Sequence, residues 1–116
     1  MSERAPVPIA LPPVTDEVIE GIARCIVEQF QPEKVILFGS RAWGVPQEDS
    51  DVDILVIMQG QGPSLARGLR VRQACRPRRV AMDLLVKTPA EIEHRLEIGD
   101  PFIRRVLEEG RLLYAR

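Results

Sequence analysis

Apolar residues in this chain fall into two kinds of pattern. Short continuous runs at 35–38, 54–58 and 80–86 are rich in β-branched residues and bounded by turn residues, which is typical of buried strands. Other apolar residues recur at helical spacing. The first such stripe predicts a helix that Thr15 caps and Pro32 ends; its members are Val18, Ile19, Ile22, Ile26 and Phe30.

The remaining elements are predicted from turn and capping residues. A short helical turn covers 40–43, and a second helix begins at Ser64 as its cap and runs to about Cys75, with Leu65 and Leu69 inward. Three further elements complete the chain: a helix opened by the capping box at 88–91, a helix capped by Asp100 and closed by Gly110, and an edge strand over 111–114.

Together these elements predict an α/β (α+β) fold, with a small mixed β-sheet flanked by helices. Residues 1–14 contain four prolines and are predicted to form a loose tail, so the folded domain covers 15–116. A length of 116 residues with 45% apolar and 28% charged residues suits one globular domain.

Charge, apolar runs and cysteine content limit the partners, the cellular location and the cysteine chemistry that we expect. The net charge of −1 argues against bulk attraction to membranes or nucleic acid, and no sequence-specific nucleic-acid binding is expected. The absence of an 18-residue apolar run or a signal sequence predicts a cytoplasmic protein. Cys25 and Cys75 lie far apart in predicted helices, and we expect two separate core residues rather than a disulfide or a metal pair.

The candidate chemistry lies between the first two strands. Asp51 and Asp53 stand one residue apart, so on a strand their side chains share one face, with Cα atoms about 6.5–7 Å apart. Such a pair without a neighbouring cation favours protonation of one acid or a bound hard cation, Mg²⁺ or Mn²⁺. Gly39 and Ser40 form a turn after the first strand that suits a phosphate. This combination predicts phosphoryl or nucleotidyl transfer.

Asp83 is a candidate third carboxylate. It interrupts the apolar run at 80–86, and a lone acid in a buried strand is costly unless it is paired or metal-bound. We expect its strand to neighbour that of Asp51 and Asp53. Two other metal or phosphate motifs fail: Val45-Pro46 replaces the end of a P-loop, and Ile54 occupies the glycine position of an EF-hand.

The pattern of Gly39-Ser40, ten residues, then Asp51-x-Asp53 resembles that of minimal nucleotidyltransferases, relatives of DNA polymerase β. The resemblance covers roughly residue 15 to the C-terminus and implies the polymerase β-like fold. It implies that Gly39 and Ser40 hold the phosphates of ATP, with Arg41 helping to neutralise them. It further implies that Asp51, Asp53 and Asp83 bind two Mg²⁺ ions and that AMP is transferred to a hydroxyl.

The same resemblance implies a partner. Minimal nucleotidyltransferases of this kind are commonly paired with a HEPN-domain ribonuclease toxin, which they adenylylate on a tyrosine as antitoxins. Two alternatives stay open: inhibition of a partner by occlusion without catalysis, and transfer to a small molecule such as an aminoglycoside with a second subunit. Self-association into a homo-oligomer is also compatible with the sequence.

Two further features have more than one interpretation. Trp43 could stack on a nucleobase, although packing is favoured. The six arginines between 67 and 79 suit a solvated helix face, triphosphate contacts or the docking of an acidic partner.

Overall fold

The computed structural model describes residues 13–47 and 50–116. Most of the predicted tail and two residues of the loop before Asp51 lie outside these ranges. The elements in chain order are α1 (Asp16–Phe30), β1 (Lys34–Phe38), α2 (Ser40–Trp43), β2 (Val52–Ile57), α3 (Ser64–Cys75), β3 (Met82–Lys87), α4 (Pro89–Glu97), α5 (Pro101–Glu109) and β4 (Arg111–Ala115).

The four strands form one mixed sheet in the order β3-β2-β1-β4. β1 pairs antiparallel with β2 and with β4, while β2 and β3 run parallel. The parallel pair needs a crossover, which α3 supplies. The predicted α/β fold with a small mixed sheet between helices is therefore confirmed.

Strand alternation gives the sheet two different faces. One face packs against α1 and α3 around a core that includes Leu37, Ile54 and Val86. The other face carries Phe38, Leu55 and Ile57 and is covered in part by α4 and α5, through Ile92, Ile103 and Val106. Asp53 and Asp83 lie on this second face, because they alternate along their strands with the residues of the first. We call the first the closed face and the second the acidic face.

The predicted helix ends are largely confirmed by their caps. The Thr15 hydroxyl accepts a hydrogen bond from the Val18 N–H, and the Asp100 carboxylate accepts from the Phe102 N–H. Thr88 and Glu91 form the reciprocal capping box. These caps are local features, so the sequence alone could identify them.

Two predictions for α3 are wrong. Ser64 is the first helical residue, and its hydroxyl donates to the Val86 carbonyl across to β3 instead of capping the helix. Leu65 and Leu69 do not face inward, because the buried side of α3 carries Arg67, Gly68, Val71 and Cys75. An arginine at a buried position shifts the apparent apolar stripe, and the leucines are left at the surface.

The expectation of two separate core cysteines is also wrong. Cys25 and Cys75 form a disulfide between α1 and α3, with Cα atoms 5.7 Å apart. Helices 50 residues apart in sequence meet there because both pack on the closed face.

Across the residues described, no helix has the length and apolar character needed to cross a membrane.

Candidate active site

The predicted neighbourhood of the three acids is present in the sheet. β2 and β3 pair in parallel with Asp53 directly opposite Asp83. Neighbouring strands lie about 4.8 Å apart, so these two side chains leave the sheet side by side on the acidic face. Asp51 lies immediately before β2, two residues from Asp53 and exposed.

Gly39 brings the turn after β1 directly against Asp53. Phe38 pairs with Asp53 across the two strands, and Gly39 follows with a φ of 75°. A Cβ atom at this position would lie 2.1 Å from Oδ2 of Asp53, far inside van der Waals contact. Only glycine satisfies both the backbone angle and this close approach. The Gly-Ser turn and the carboxylate therefore form one site.

The pKa of Asp53 reflects its burial and the negative charges near it. Burial, then the negative charges of Asp83 and Asp51, raise the pKa of Asp53 from its usual 3.8 to about 6, while Arg41 opposes the shift. Each of the three neighbours is one of the residues that the sequence singled out. A bound cation would offset the negative charge of these carboxylates and so favour their ionised form.

Arg41 holds the loop that leads into Asp51. Its Nε and Nη2 donate to the Ser50 carbonyl at 3.1 and 2.9 Å, and Nη2 also donates to the Gln47 carbonyl at 3.5 Å. The Gln47 N–H in turn donates to the Ser50 hydroxyl at 2.8 Å. Arg41 is thus anchored beside the acids, and its contact with a triphosphate stays a prediction.

Comparison with known proteins agrees with this geometry. Residues 20–116 match the family described as polymerase beta, nucleotidyltransferase. The chain belongs to that family. No curated protein matches the chain significantly in sequence.

Two solved structures share the fold of this nucleotidyltransferase-family chain. One, from Sulfolobus solfataricus, is provisionally assigned as a nucleotidyltransferase; it is 25% identical, with a TM-score of 0.61, and the match covers 86% of this chain and 79% of that one. The other is a toxin–antitoxin structure solved with AMP-PNP, 18% identical with a TM-score of 0.54, over 89% and 75% of the two chains. At 18% identity, the second match shows the fold alone.

The three acids have the oxygen ligands that a hard divalent ion prefers, although their side chains do not form a metal-binding cluster. Within 13–47 and 50–116, no three His, Cys, Asp or Glu side chains stand in a metal-binding cluster. Asp51, Asp53 and Asp83 nevertheless provide only oxygen donors, as Mg²⁺ prefers, and the charges of Asp83 and Asp51 raise the pKa of Asp53. A bound ion would have to draw these carboxylates together. Their assignment as metal ligands stays a prediction.

Trp43 serves packing in this structure. Its ring lies 6.4 Å from that of Phe38, and the Arg105 guanidinium lies over it at 4.2 Å from the centroid. Phe38 also makes an edge-to-face contact with Phe102 at 5.4 Å. One face of the indole is therefore occupied by a cation.

Arg67 differs from the other arginines of its cluster. It is 2% exposed and donates to the carbonyls of Gly62 and Val86 and to the Glu91 carboxylate. Sequence reasoning missed this role. The available signal was its spacing, four and eight residues before Val71 and Cys75, which places it on the buried side of α3.

Proposed function

We propose that this chain transfers AMP from ATP to a hydroxyl group of a partner protein. The acceptor we favour is a tyrosine of a HEPN-type ribonuclease toxin in the cytoplasm, which would make the chain an antitoxin. The observation that carries the proposal is the pairing of Asp53 with Asp83 directly against the Gly39 turn. Membership of the nucleotidyltransferase family supports the reaction class, and the fold shared with a toxin–antitoxin structure supports the partner class.

The roles follow from position. The first N–H groups of α2, which begins at Ser40 directly after Gly39, would hold the β- and γ-phosphates together with the Ser40 hydroxyl. Asp51, Asp53 and Asp83 would hold two Mg²⁺ ions, which when bound neutralise the charge of the triphosphate and of the leaving pyrophosphate. Arg41 would add positive charge at the same place while holding Ser50.

The transfer itself conserves atoms and charge. The acceptor oxygen forms a bond to the α-phosphorus of ATP, and the bond from that phosphorus to the bridging oxygen breaks, releasing pyrophosphate. The proton of the hydroxyl passes to the Asp83 carboxylate, which is exposed at the open edge of the sheet. AMP remains on the acceptor as a phosphodiester.

The direct test is transfer of AMP to the protein encoded by the adjacent gene. Wild-type chain, Mg²⁺ and ATP should add one AMP mass to that protein, and Asp51→Ala with Asp53→Ala should lower the rate by about a thousandfold or more. A matched control removes two exposed acids away from the site, Glu97 and Glu108, by the same change to alanine. Equal rates for the two double variants would refute the proposal.

Metal binding has its own readout. Mg²⁺ should raise the melting temperature of the wild-type chain and leave that of the Asp51→Ala, Asp53→Ala variant unchanged, because only the first retains the acids. Equal shifts in the two proteins would remove the metal from this site.

Occlusion without catalysis is the second candidate. It is favoured by the absence of a gathered three-acid cluster in the part of the chain that the structure describes. If the double variant neutralises the partner in cells as well as the wild type does, occlusion is the function and the acids are incidental.

A further inference from the structure

A groove beside the candidate active site lies between α3 and the edge strand β3. It has a volume of about 420 Å³, and one of its lining residues is Asp83. The others that matter here are Leu65, Leu69 and Arg72 of α3 and Leu85 and Lys87 of β3. The groove therefore follows the open edge of the sheet, with α3 as one wall and with Asp83 among the β3 residues of the other.

The α3 wall of the groove is apolar and exposed. Leu65 is 77% exposed and Leu69 is 51% exposed. With Arg72 they stand at positions i, i+4 and i+7 of one helix, so they form a single stripe. Exposed apolar side chains that form a patch mark candidate interaction surfaces, and arginine is enriched at protein interfaces.

The charge of this surface has one sign. Residues 64–81 contain no acid, and Arg70, Arg72, Arg76, Arg78 and Arg79 are all exposed. The ion pairs found in the described ranges involve none of these five. Among the residues lining the groove, Asp83 is the only acid. The groove thus carries two positive charges, Arg72 and Lys87, against the one negative charge of Asp83, and it suits an acidic ligand away from the point where an acceptor hydroxyl would react.

The edge of β3 is partly closed to strand addition. The Val86 carbonyl already accepts hydrogen bonds from the Ser64 hydroxyl at 2.6 Å and from Arg67 at 3.4 Å. A ligand in the groove would therefore contact side chains of α3 and β3 rather than extend the sheet through this carbonyl.

We propose that this groove is the docking site for the acceptor protein, which inserts an acidic segment with apolar residues and presents its hydroxyl at Asp83. The inference rests on the proposed transfer reaction and adds the surface and the chemistry by which the acceptor is recognised. The leucines contact the apolar residues of the segment, and Arg72 and Lys87 pair with its acids. Desolvated apolar contacts would supply affinity, and the charges would set orientation.

The test measures binding and transfer separately, using the purified product of the adjacent gene. Arg72→Glu and Leu69→Ser should each weaken the complex by about tenfold in calorimetry and raise KM for the acceptor with little change in kcat. Both residues are exposed, so folding should be unaffected, and the melting temperature checks this. Binding of ATP with Mg²⁺ should stay at the wild-type level.

Matched controls come from the same molecule. Arg70 lies on α3 outside the groove and is exposed, and Leu112 on β4 is 56% exposed. Arg70→Glu and Leu112→Ser should leave binding within about twofold of wild type. If all four variants bind alike, or if the wild-type chain forms no complex, the docking proposal is overturned.

Other occupants give other outcomes. A wild-type dimer in solution that Leu69→Ser dissociates would assign the groove to a second copy. Binding of oligouridylate that Arg72→Glu abolishes, with protein binding unchanged, would assign it to RNA. Either result overturns the proposal. If the wild-type chain forms the complex but transfers no AMP, the proposed reaction is refuted and the docking proposal stands. If AMP is transferred and KM is unchanged in both groove variants, the docking proposal is refuted and the reaction stands.

Discussion

The two faces of the sheet are built from the same strands and serve different ends. On the closed face, Val52, Ile54 and Val56 of β2 are all fully buried against α1 and α3. On the acidic face the same strand carries Ile57 and Leu55 and then changes to Asp53 near its start. One side of β2 therefore contributes to the hydrophobic core, and the other side carries the charged residue Asp53. The closed-face residues of β2 are fully buried, whereas Asp53 is partly exposed where the proposed substrate would enter.

The largest effect on stability should come from the closed face. Ile54→Ala removes a side chain with no exposed surface, and we expect a loss of about 3–4 kcal/mol in the free energy of unfolding, from lost burial and the cavity left behind. Urea denaturation measures it. A loss below about 1 kcal/mol would mean that the closed face can collapse around the gap and is less tightly packed than the structure shows.

Arg67 should rank next, because it joins α3, β3 and α4. Arg67→Met keeps much of the volume but removes the donor to the Gly62 carbonyl, one of two donors to the Val86 carbonyl and the ion-pair partner of Glu91, and we expect a loss of about 2–3 kcal/mol. Arg70→Met on the exposed side of the same helix should change stability by less than about 0.5 kcal/mol. Equal effects in urea denaturation would contradict the structural role of Arg67.

Loss of this arginine should also be visible at Glu91. Burial opposes ionisation there, but hydrogen bonding from Thr88 and the charge of Arg67 together hold the pKa of Glu91 below its usual value. Arg67→Met should therefore raise this pKa, as followed by NMR titration of the carboxylate. An unchanged pKa would leave the Thr88 cap as the main cause.

The Gly39 turn lies against Asp53 of the acidic face, and a substitution of this glycine has a matched control elsewhere in the chain. Gly99 has the same φ of 75° but open space around it, so Gly99→Ala should cost about 1 kcal/mol from backbone strain alone. Gly39→Ala adds the collision with Asp53, so we expect a larger loss, about 2 kcal/mol, and no AMP transfer.

Coupling distinguishes the collision from strain. Adding Asp53→Ala to Gly39→Ala should restore more stability than adding it to Gly99→Ala, because only in the first pair does it also relieve the collision. Additive effects in both pairs would mean that Gly39 is required for its backbone angle only.

How far the sequence predicts this molecule depends on whether each feature is local. Caps, strand runs and the spacing of Gly39, Asp51 and Asp53 are local, and the elements they predict are confirmed within a residue or two. Asp83 was expected beside Asp53 because a buried acid needs a partner; the pairing is confirmed, but the premise is wrong, since Asp83 is exposed on an edge strand. No local pattern marks a pairing between positions 50 residues apart, so the Cys25–Cys75 disulfide was mispredicted.

The leucines that line the groove could not be placed correctly from the sequence either. Leucines at helical spacing normally predict a buried stripe. Here the buried stripe includes Arg67, whose partner Glu91 lies on another helix, and the leucines are displaced to the surface. Only the tertiary arrangement distinguishes a core leucine from one that lines a surface groove.

The smallest effect has the opposite sign, and it bears most directly on why the two faces differ. The pKa of Asp53 is raised to about 6, so between about pH 4 and pH 6 the folded chain holds a proton that the unfolded chain has released. Stability therefore falls as pH rises through this window, and ionised Asp53 destabilises the metal-free fold at pH 8. Because the side chain is only partly buried, we expect Asp53→Asn to stabilise the protein there by about 1 kcal/mol, and by nothing at pH 4. Urea denaturation in EDTA at the two pH values measures it. A variant less stable than wild type at pH 8 would show that the carboxylate supports the fold, as Ile54 does one residue along, and the division of labour between the two faces would fail.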